Sequence, residues 1–156
     1  MRVLIQRVSE ASVTVDSQIV GLIGQGLLVF MGAARGDDRH CADWLVEKIT
    51  GLRVFPDQAG KMNLSLLDVK GAVLLISQFT LLGDLRRGRR PSFVHAADPA
   101  EAEVLYQYFG ERLAEKVQVA YGLFGADMKV ALVNDGPVTF WLEKTSALSG
   151  ELNLGS

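Results

Sequence analysis

The chain has 156 residues, 49% of them hydrophobic and 22% charged, with sixteen Lys/Arg against eighteen Asp/Glu for a formal charge of −2. That balance excludes an intrinsically disordered chain, and the length suits one domain with its own core. A broad basic coat for nucleic acid is also excluded, while a local basic site is not, because net charge does not locate charges.

The first third reads as β-rich. Val13 and Val15 alternate with Ser12 and Thr14, Asp16-Ser17 offers a turn, and strands are predicted over Gln18–Ile23 and Leu27–Met31. A helix is predicted over Asp38–Thr50, where Cys41, Trp44, Leu45 and Ile49 recur at helical spacing before Gly51. Leu52–Phe55 reads as a short strand closed by Pro56-Asp57 and Gly60, and Lys61–Leu66 has no clear period.

Ala72–Ile76 is a continuous apolar run, the pattern of a strand buried on both faces, and it feeds into Ser77-Gln78-Phe79-Thr80-Leu81. Residues 83–97 form a loop rich in Gly, Arg and Pro. A second helix opens at Asp98-Pro99, with Glu101 placed for a capping box and Ala102, Leu105, Tyr106, Phe109 and Leu113 on one face. Val117–Ala120, Lys129–Val133 and Val138–Leu142 read as strands, the last after an Asn134-Asp135-Gly136-Pro137 turn. The small, polar stretch from Ser146 is expected to be a mobile tail beyond a 1–145 domain.

Cys41 is the only cysteine, so no intrachain disulfide forms, and its place on the helix stripe makes it a small buried hydrophobe. The start, Met1-Arg2-Val3-Leu4-Ile5-Gln6-Arg7, is too polar for a signal-peptide core, and the longest apolar stretch, Gly26–Ala34, is far short of the ~18–20 residues that span a bilayer. The expectation is a cytoplasmic protein with no membrane contact.

His40 and His95 have no ligand-spaced partner beyond Cys41, adjacent to His40, so no metal site and no cofactor is expected. No G-x-S-x-G, P-loop or dinucleotide fingerprint is present. Three segments can serve a ligand or simply serve the fold. Ser77-Gln78-Phe79-Thr80 either presents hydroxyls and backbone N–H groups or is a plain strand exit. Gly136-Pro137 is either a trans turn or a cis bond. Gly122-Leu123-Phe124-Gly125-Ala126 is either a close-approach loop or one that needs positive φ. Arg86, Arg87, Arg89 and Arg90 are either a phosphate site or a solvated loop.

Taken together these segments form one signature. SQFTL at 77–81, Gly88-x-Arg90-Pro91-Ser92-Phe93, Phe124-Gly125-Ala126-x-Met128 and Asn134-Asp135-Gly136-Pro137-Val138-Thr139 follow in order, joined by Met1–Val8 and Gly60-Lys61-Met62-Asn63-Leu64-Ser65. The chain closely resembles the D-aminoacyl-tRNA deacylases over nearly its whole length, up to Trp141-Leu142. The resemblance implies a mixed α/β fold of two packed β-sheets with helices on one side, in a homodimer with active sites at the interface. It implies hydrolysis of the ester joining a D-amino acid to the terminal adenosine of tRNA. It implies catalytic positions at Ser77, Gln78, Phe79 and Thr80. It further implies a cis Gly136-Pro137 segment reaching across the dimer as chiral filter, and pocket positions at Phe124, Ala126 and Met128. Arg86, Arg87, Arg89 and Arg90 would contact tRNA. Tyr121 stands where the family has Thr and is expected at the rim of the site, and the stretch beyond Leu142 has no assigned counterpart. The rival is a non-catalytic RNA-binding dimer.

The chemistry supports a spare mechanism. An aminoacyl ester beside a ribose hydroxyl is already activated, so backbone N–H groups near Phe79 and Thr80 can stabilise the oxyanion, with Thr80 either a nucleophile or, as preferred here, a positioning group. A filter that rejects L side chains by obstruction should let glycyl-tRNA through.

Overall fold

The structure, a computed structural model, describes residues 1–147. Its longest strand after the last is β1 (Arg2–Val15), which holds Val3, Ile5, Ala11 and Val13 buried on alternating positions. The alternation breaks at Arg7 and Val8, both buried, where the pairing register also shifts. Asp16 and Ser17 both take positive φ, 48° and 63°, the two-residue turn whose twist suits a hairpin, and lead into β2 (Gln18–Ile23). β3 (Gly26–Gly32) then pairs antiparallel with the first half of β1.

Helix α1 (Arg39–Gly51) is capped by Asp38, whose carboxylate accepts from the Cys41 N–H at 3.0 Å. That hydrogen bond holds the Asp38 carboxyl below its ordinary pKa. Cys41 is fully buried as predicted, and burial pushes its thiol pKa up. Trp44 departs from the predicted stripe: it is 38% exposed, with Lys144 over its ring.

The predicted 52–55 strand shrinks to β4 (Phe55–Pro56), paired with β5 (Met62–Leu64). A four-residue helix, α2 (Leu66–Val69), follows with a Ser65/Asp68 capping box; the Ser-x-x-Asp signal was present, but one turn is too short to show a period. β6 (Ala72–Ser77) lies parallel to β3, and a 3-10 helix (Phe79–Leu82) replaces any ladder role for Thr80.

Helix α3 (Pro99–Ala114) starts at Pro99 as predicted, but the expected capping box is absent: Asp98 makes no side-chain cap hydrogen bond. Its carboxylate instead lies 3.9 Å from the Arg35 guanidinium. β7 (Gln118–Tyr121) pairs parallel with β6, and β8 (Lys129–Glu143) runs along β1.

The two predicted strands 129–133 and 138–142 are thus one strand, and Asn134–Pro137 is a bulge rather than a turn. Asn134 sits opposite Val8 and Thr139 opposite Gln6, so residues 135–138 bow out beside Arg7. Asn134 closes the bulge, accepting from the Val138 N–H at 3.2 Å and donating to Thr139 Oγ1 at 3.0 Å.

The order β2-β1-β3-β6-β7, with β8 on β1, makes one six-stranded sheet where two packed sheets were expected. It curls so far that β2 packs over the β6–β7 end; a Cβ on Gly21 would lie 2.7 Å from the Tyr121 carbonyl. The result is a near-barrel. Alternation along β3 and β6 divides the core. Leu27, Val29, Val73 and Leu75 join α1 and α3 in one cluster, while Leu28, Leu74 and Ile76 join Val8, Val13 and Ile23 in the barrel interior. The N-terminal ammonium is buried as well, 2.5 Å from the Asp37 carboxylate and donating to the Lys144 carbonyl at 2.7 Å. Ser146 is buried and lies 3.4 Å from Asp38, so packing continues past residue 145. The rest of the predicted tail, 148–156, lies outside the described residues.

Candidate active site

The parallel pair β3–β6 ends in a cavity of about 450 Å³. Small residues open it: Gly32 and Ala33 leave β3, and Ala102 lies on the first turns of α3. Ser77, Gln78 and Phe79 form one wall, and Phe124, Ala126 and Met128 form another. Six of the sequence-predicted positions are therefore brought together. Not one of the lining residues is ionisable.

Phe124 is fixed from behind. Its ring packs 5.8 Å from that of Tyr106, whose buried hydroxyl donates to the Leu75 carbonyl at 2.9 Å. Burial pushes the Tyr106 hydroxyl pKa up, so it stays a donor.

The turn after β6 supplies the polar groups. The Gln78 N–H donates to the Met31 carbonyl at 2.8 Å, tying the segment to β3. The Gln78 amide donates to Thr80 Oγ1. Phe79 and Thr80 open a 3-10 helix, where the first N–H groups have no intrahelical acceptor, and neither N–H has a hydrogen-bond partner among the described residues. Thr80 is exposed and does not line the cavity.

Gly136 and Pro137 are exposed and also lie outside this cavity. Their peptide bond is cis, as the family resemblance implies. Sequence reasoning missed what braces the bulge. Arg7, only 9% exposed, donates from Nε to the Asp135 carbonyl at 2.9 Å and from Nη1 to the Val54 carbonyl at 2.7 Å. The only local signal was a charged residue interrupting an apolar alternation.

The arginine loop is a closed hairpin, since Asp84 and Ser92 exchange backbone hydrogen bonds at 2.7 and 3.1 Å. Arg86 is paired within the loop. Its guanidinium donates to both Asp84 oxygens, at 2.9 and 2.6 Å, and holds the Asp84 carboxyl well below the usual range. Arg87, Arg89 and Arg90 are exposed and have no ion pair among the described residues. Tyr121, expected at the rim, turns away instead: its hydroxyl donates to the Gly110 carbonyl at 3.2 Å.

Among the described residues no group of three His, Cys, Asp or Glu side chains gathers as a metal site, and no helix is long and apolar enough to cross a membrane.

This is a small near-barrel domain with a cavity that no ionisable side chain lines, and known proteins give it a class. A family model described as D-Tyr-tRNA(Tyr) deacylase matches residues 4–143. A curated D-aminoacyl-tRNA deacylase of Thermomicrobium roseum is 58% identical over 154 residues, covering 98% of this chain and 100% of that protein. That alignment extends past Leu142, where the motifs offered no counterpart. The D-aminoacyl-tRNA deacylase of Geotalea daltonii is 57% identical over 92% of this chain and 96% of its own. Among solved structures, one titled c-Myc DNA Unwinding Element Binding Protein has a TM-score of 0.89 and 38% identity, covering 94% of this chain and 100% of that chain. A probable eukaryotic D-amino acid tRNA deacylase has a TM-score of 0.79 at 16% identity, a likeness of fold, covering 90% of this chain and 97% of that chain. The chain belongs to the D-aminoacyl-tRNA deacylase family and is a hydrolase acting on an ester bond.

Proposed function

We propose that the protein clears D-aminoacyl-tRNA, and glycyl-tRNA with it, by a backbone-centred mechanism in a homodimer, in the cytoplasm. The observation that carries this is a cavity with no ionisable lining beside two N–H groups, those of Phe79 and Thr80, that have no partner among the described residues. Among the described residues, its lining offers no side chain to act as general base. It suits a substrate that brings its own activation.

The ester carbonyl sits with its oxygen toward these N–H groups. Water attacks the carbonyl carbon, and the adjacent ribose hydroxyl takes its proton while passing its own to the departing ribose oxygen. The carbon–oxygen bond to the other ribose oxygen then breaks, leaving free D-amino acid and tRNA. Preorganised N–H donors of this kind contribute about 2.7–4 kcal/mol each. Gln78 and Thr80 position the ester. Thr80→Ala is expected to keep kcat within about tenfold, since no base adjoins the hydroxyl.

Chirality is set by a second copy. Gly136 and Pro137 project from their own subunit without lining its cavity, which supports their delivery to the partner's site. The outer edge of β8 pairs with no strand among the described residues, and Phe140 and Trp141 are exposed along it, features that favour association. In the partner's cavity the bulge obstructs an L side chain and leaves a D side chain or a hydrogen unopposed.

Incubation with D-tyrosyl-, L-tyrosyl- and glycyl-tRNA tests this. D-tyrosyl and glycyl esters are expected to be cleaved and L-tyrosyl spared. Binding without hydrolysis would establish the RNA-binding reading instead, and glycyl hydrolysis no faster than L-tyrosyl would refute the steric filter.

A further inference from the structure

Phe79 and Phe93 present two aromatic rings at the surface, 56% and 36% exposed, with centroids 5.0 Å apart and planes at 58°. Phe79 lines the cavity, so the pair stands at its mouth. Phe93 follows directly on the Asp84–Ser92 hairpin that carries the arginines, and its ring is seated on Gly83, where an added Cβ would lie 3.2 Å from Cε1. The Arg86–Asp84 clamp holds the base of this hairpin. Arg87, Arg89 and Arg90 are exposed without ion pairs among the described residues. A pinned aromatic pair continuous with a site, beside guanidiniums left open on an otherwise acidic chain, is the combination that holds single-stranded nucleic acid. Rings stack bases and cations track phosphates.

We propose that Phe79 and Phe93 form a stacking platform for the nucleotides preceding the terminal adenosine of tRNA, with Arg87, Arg89 and Arg90 on their phosphates. The inference rests on the deacylase reading and extends it from the aminoacyl-adenosine to the single strand behind it. Arg86 has a different part: it positions the hairpin through Asp84 and leaves the phosphates to its neighbours.

The test compares kcat/KM on D-tyrosyl-tRNA with that on D-tyrosyl-adenosine, which lacks the preceding nucleotides. Phe93→Leu keeps an apolar side chain on Gly83 and removes the aromatic face. It is expected to lower the tRNA-to-adenosine ratio by roughly ten- to a hundredfold, chiefly through KM. Phe93→Tyr should restore it. A ratio unchanged by Phe93→Leu overturns the proposal. So does an equal loss on both substrates, which would make Phe93 an anchor for the hairpin only, and so does failure of Phe93→Tyr to rescue. A wild-type protein inactive on both substrates refutes the deacylase reading itself, and this inference with it.

Discussion

Gly32→Ala is a one-methyl change at the edge of the cavity, and the coordinates set its size. A Cβ at position 32 would stand 2.7 Å from the Gln78 carbonyl oxygen and 2.6 Å from Leu82 Cδ2. The leucine methyl can rotate aside. The carbonyl has no such rotation and gives way only by shifting its whole peptide unit, because its residue is tied to Met31 through the Gln78 N–H at 2.8 Å and accepts from the Leu81 N–H at 3.2 Å. Relief to an ordinary contact of about 3.4 Å moves the oxygen by roughly 0.7 Å. The Gln78 carbonyl and the Phe79 N–H belong to one planar peptide unit, so the donor moves with it. Oxyanion donors work within ~2.7–3.1 Å, so a shift of this size removes one, and kcat should fall by about 10²–10³. Overpacking should cost about 1–3 kcal/mol of stability, which leaves a typical domain folded. Single-turnover hydrolysis of D-tyrosyl-tRNA and a thermal melt separate the two effects. A folded Gly32→Ala variant with wild-type kcat would show that the Phe79 N–H is not an oxyanion donor.

Gly110→Ala gains about 1 kcal/mol of helix propensity but puts a Cβ 2.5 Å from Tyr121 Cε1, so it should destabilise alone and stabilise in a Tyr121→Thr background, read by denaturant unfolding of the four-member cycle. Asp38→Ala should cost about 1 kcal/mol at neutral pH. The native carboxyl titrates below its unfolded value, so that contribution is complete above about pH 4 and disappears as pH falls through the native pKa; melts of both proteins from pH 7 to 2 should converge. Arg7→Lys keeps the charge but cannot reach both the Val54 and Asp135 carbonyls as the fork does, so stability should drop by about 1–3 kcal/mol and the ratio of D- to L-tyrosyl-tRNA hydrolysis should fall. An unchanged ratio would remove Arg7 from chiral selection.

What the sequence made legible was whatever is encoded within a few residues. Asp38 and Pro99 mark helix starts, Asp16-Ser17 marks a turn, and Ala72–Ile76 shows a doubly buried strand. The motif segments that share the cavity were legible as a family signature, though not from composition, because strand-end polar residues are common in any fold. Long-range features were hidden. Gly136-Pro137 reads as a strand break, yet β8 passes through it, since the bulge is held by an arginine 128 positions away. Asp98 has a capping residue's identity without its hydrogen bond, because cap geometry depends on how the preceding loop arrives. Tyr121 looked like a change to the site, and only the packing of β7 against α3 shows it to be paired with Gly110.

The charge arithmetic changes meaning once the partners are known. A net −2 made nucleic acid an unpromising partner, and four arginines in five residues suggested an opposite local extreme. The structure moderates both. Asp84 absorbs Arg86, and the three remaining guanidiniums stand on one closed hairpin next to the cavity. An enzyme that must discard each tRNA after a single cleavage needs recognition confined to the end it cuts. Few phosphate contacts supply that, since affinity and its salt dependence both scale with the number of phosphates neutralised. On the proposed reading, the acidic remainder of the chain is expected to repel the rest of the RNA, so that weak overall binding and placement of the ester arise from the same distribution of charge.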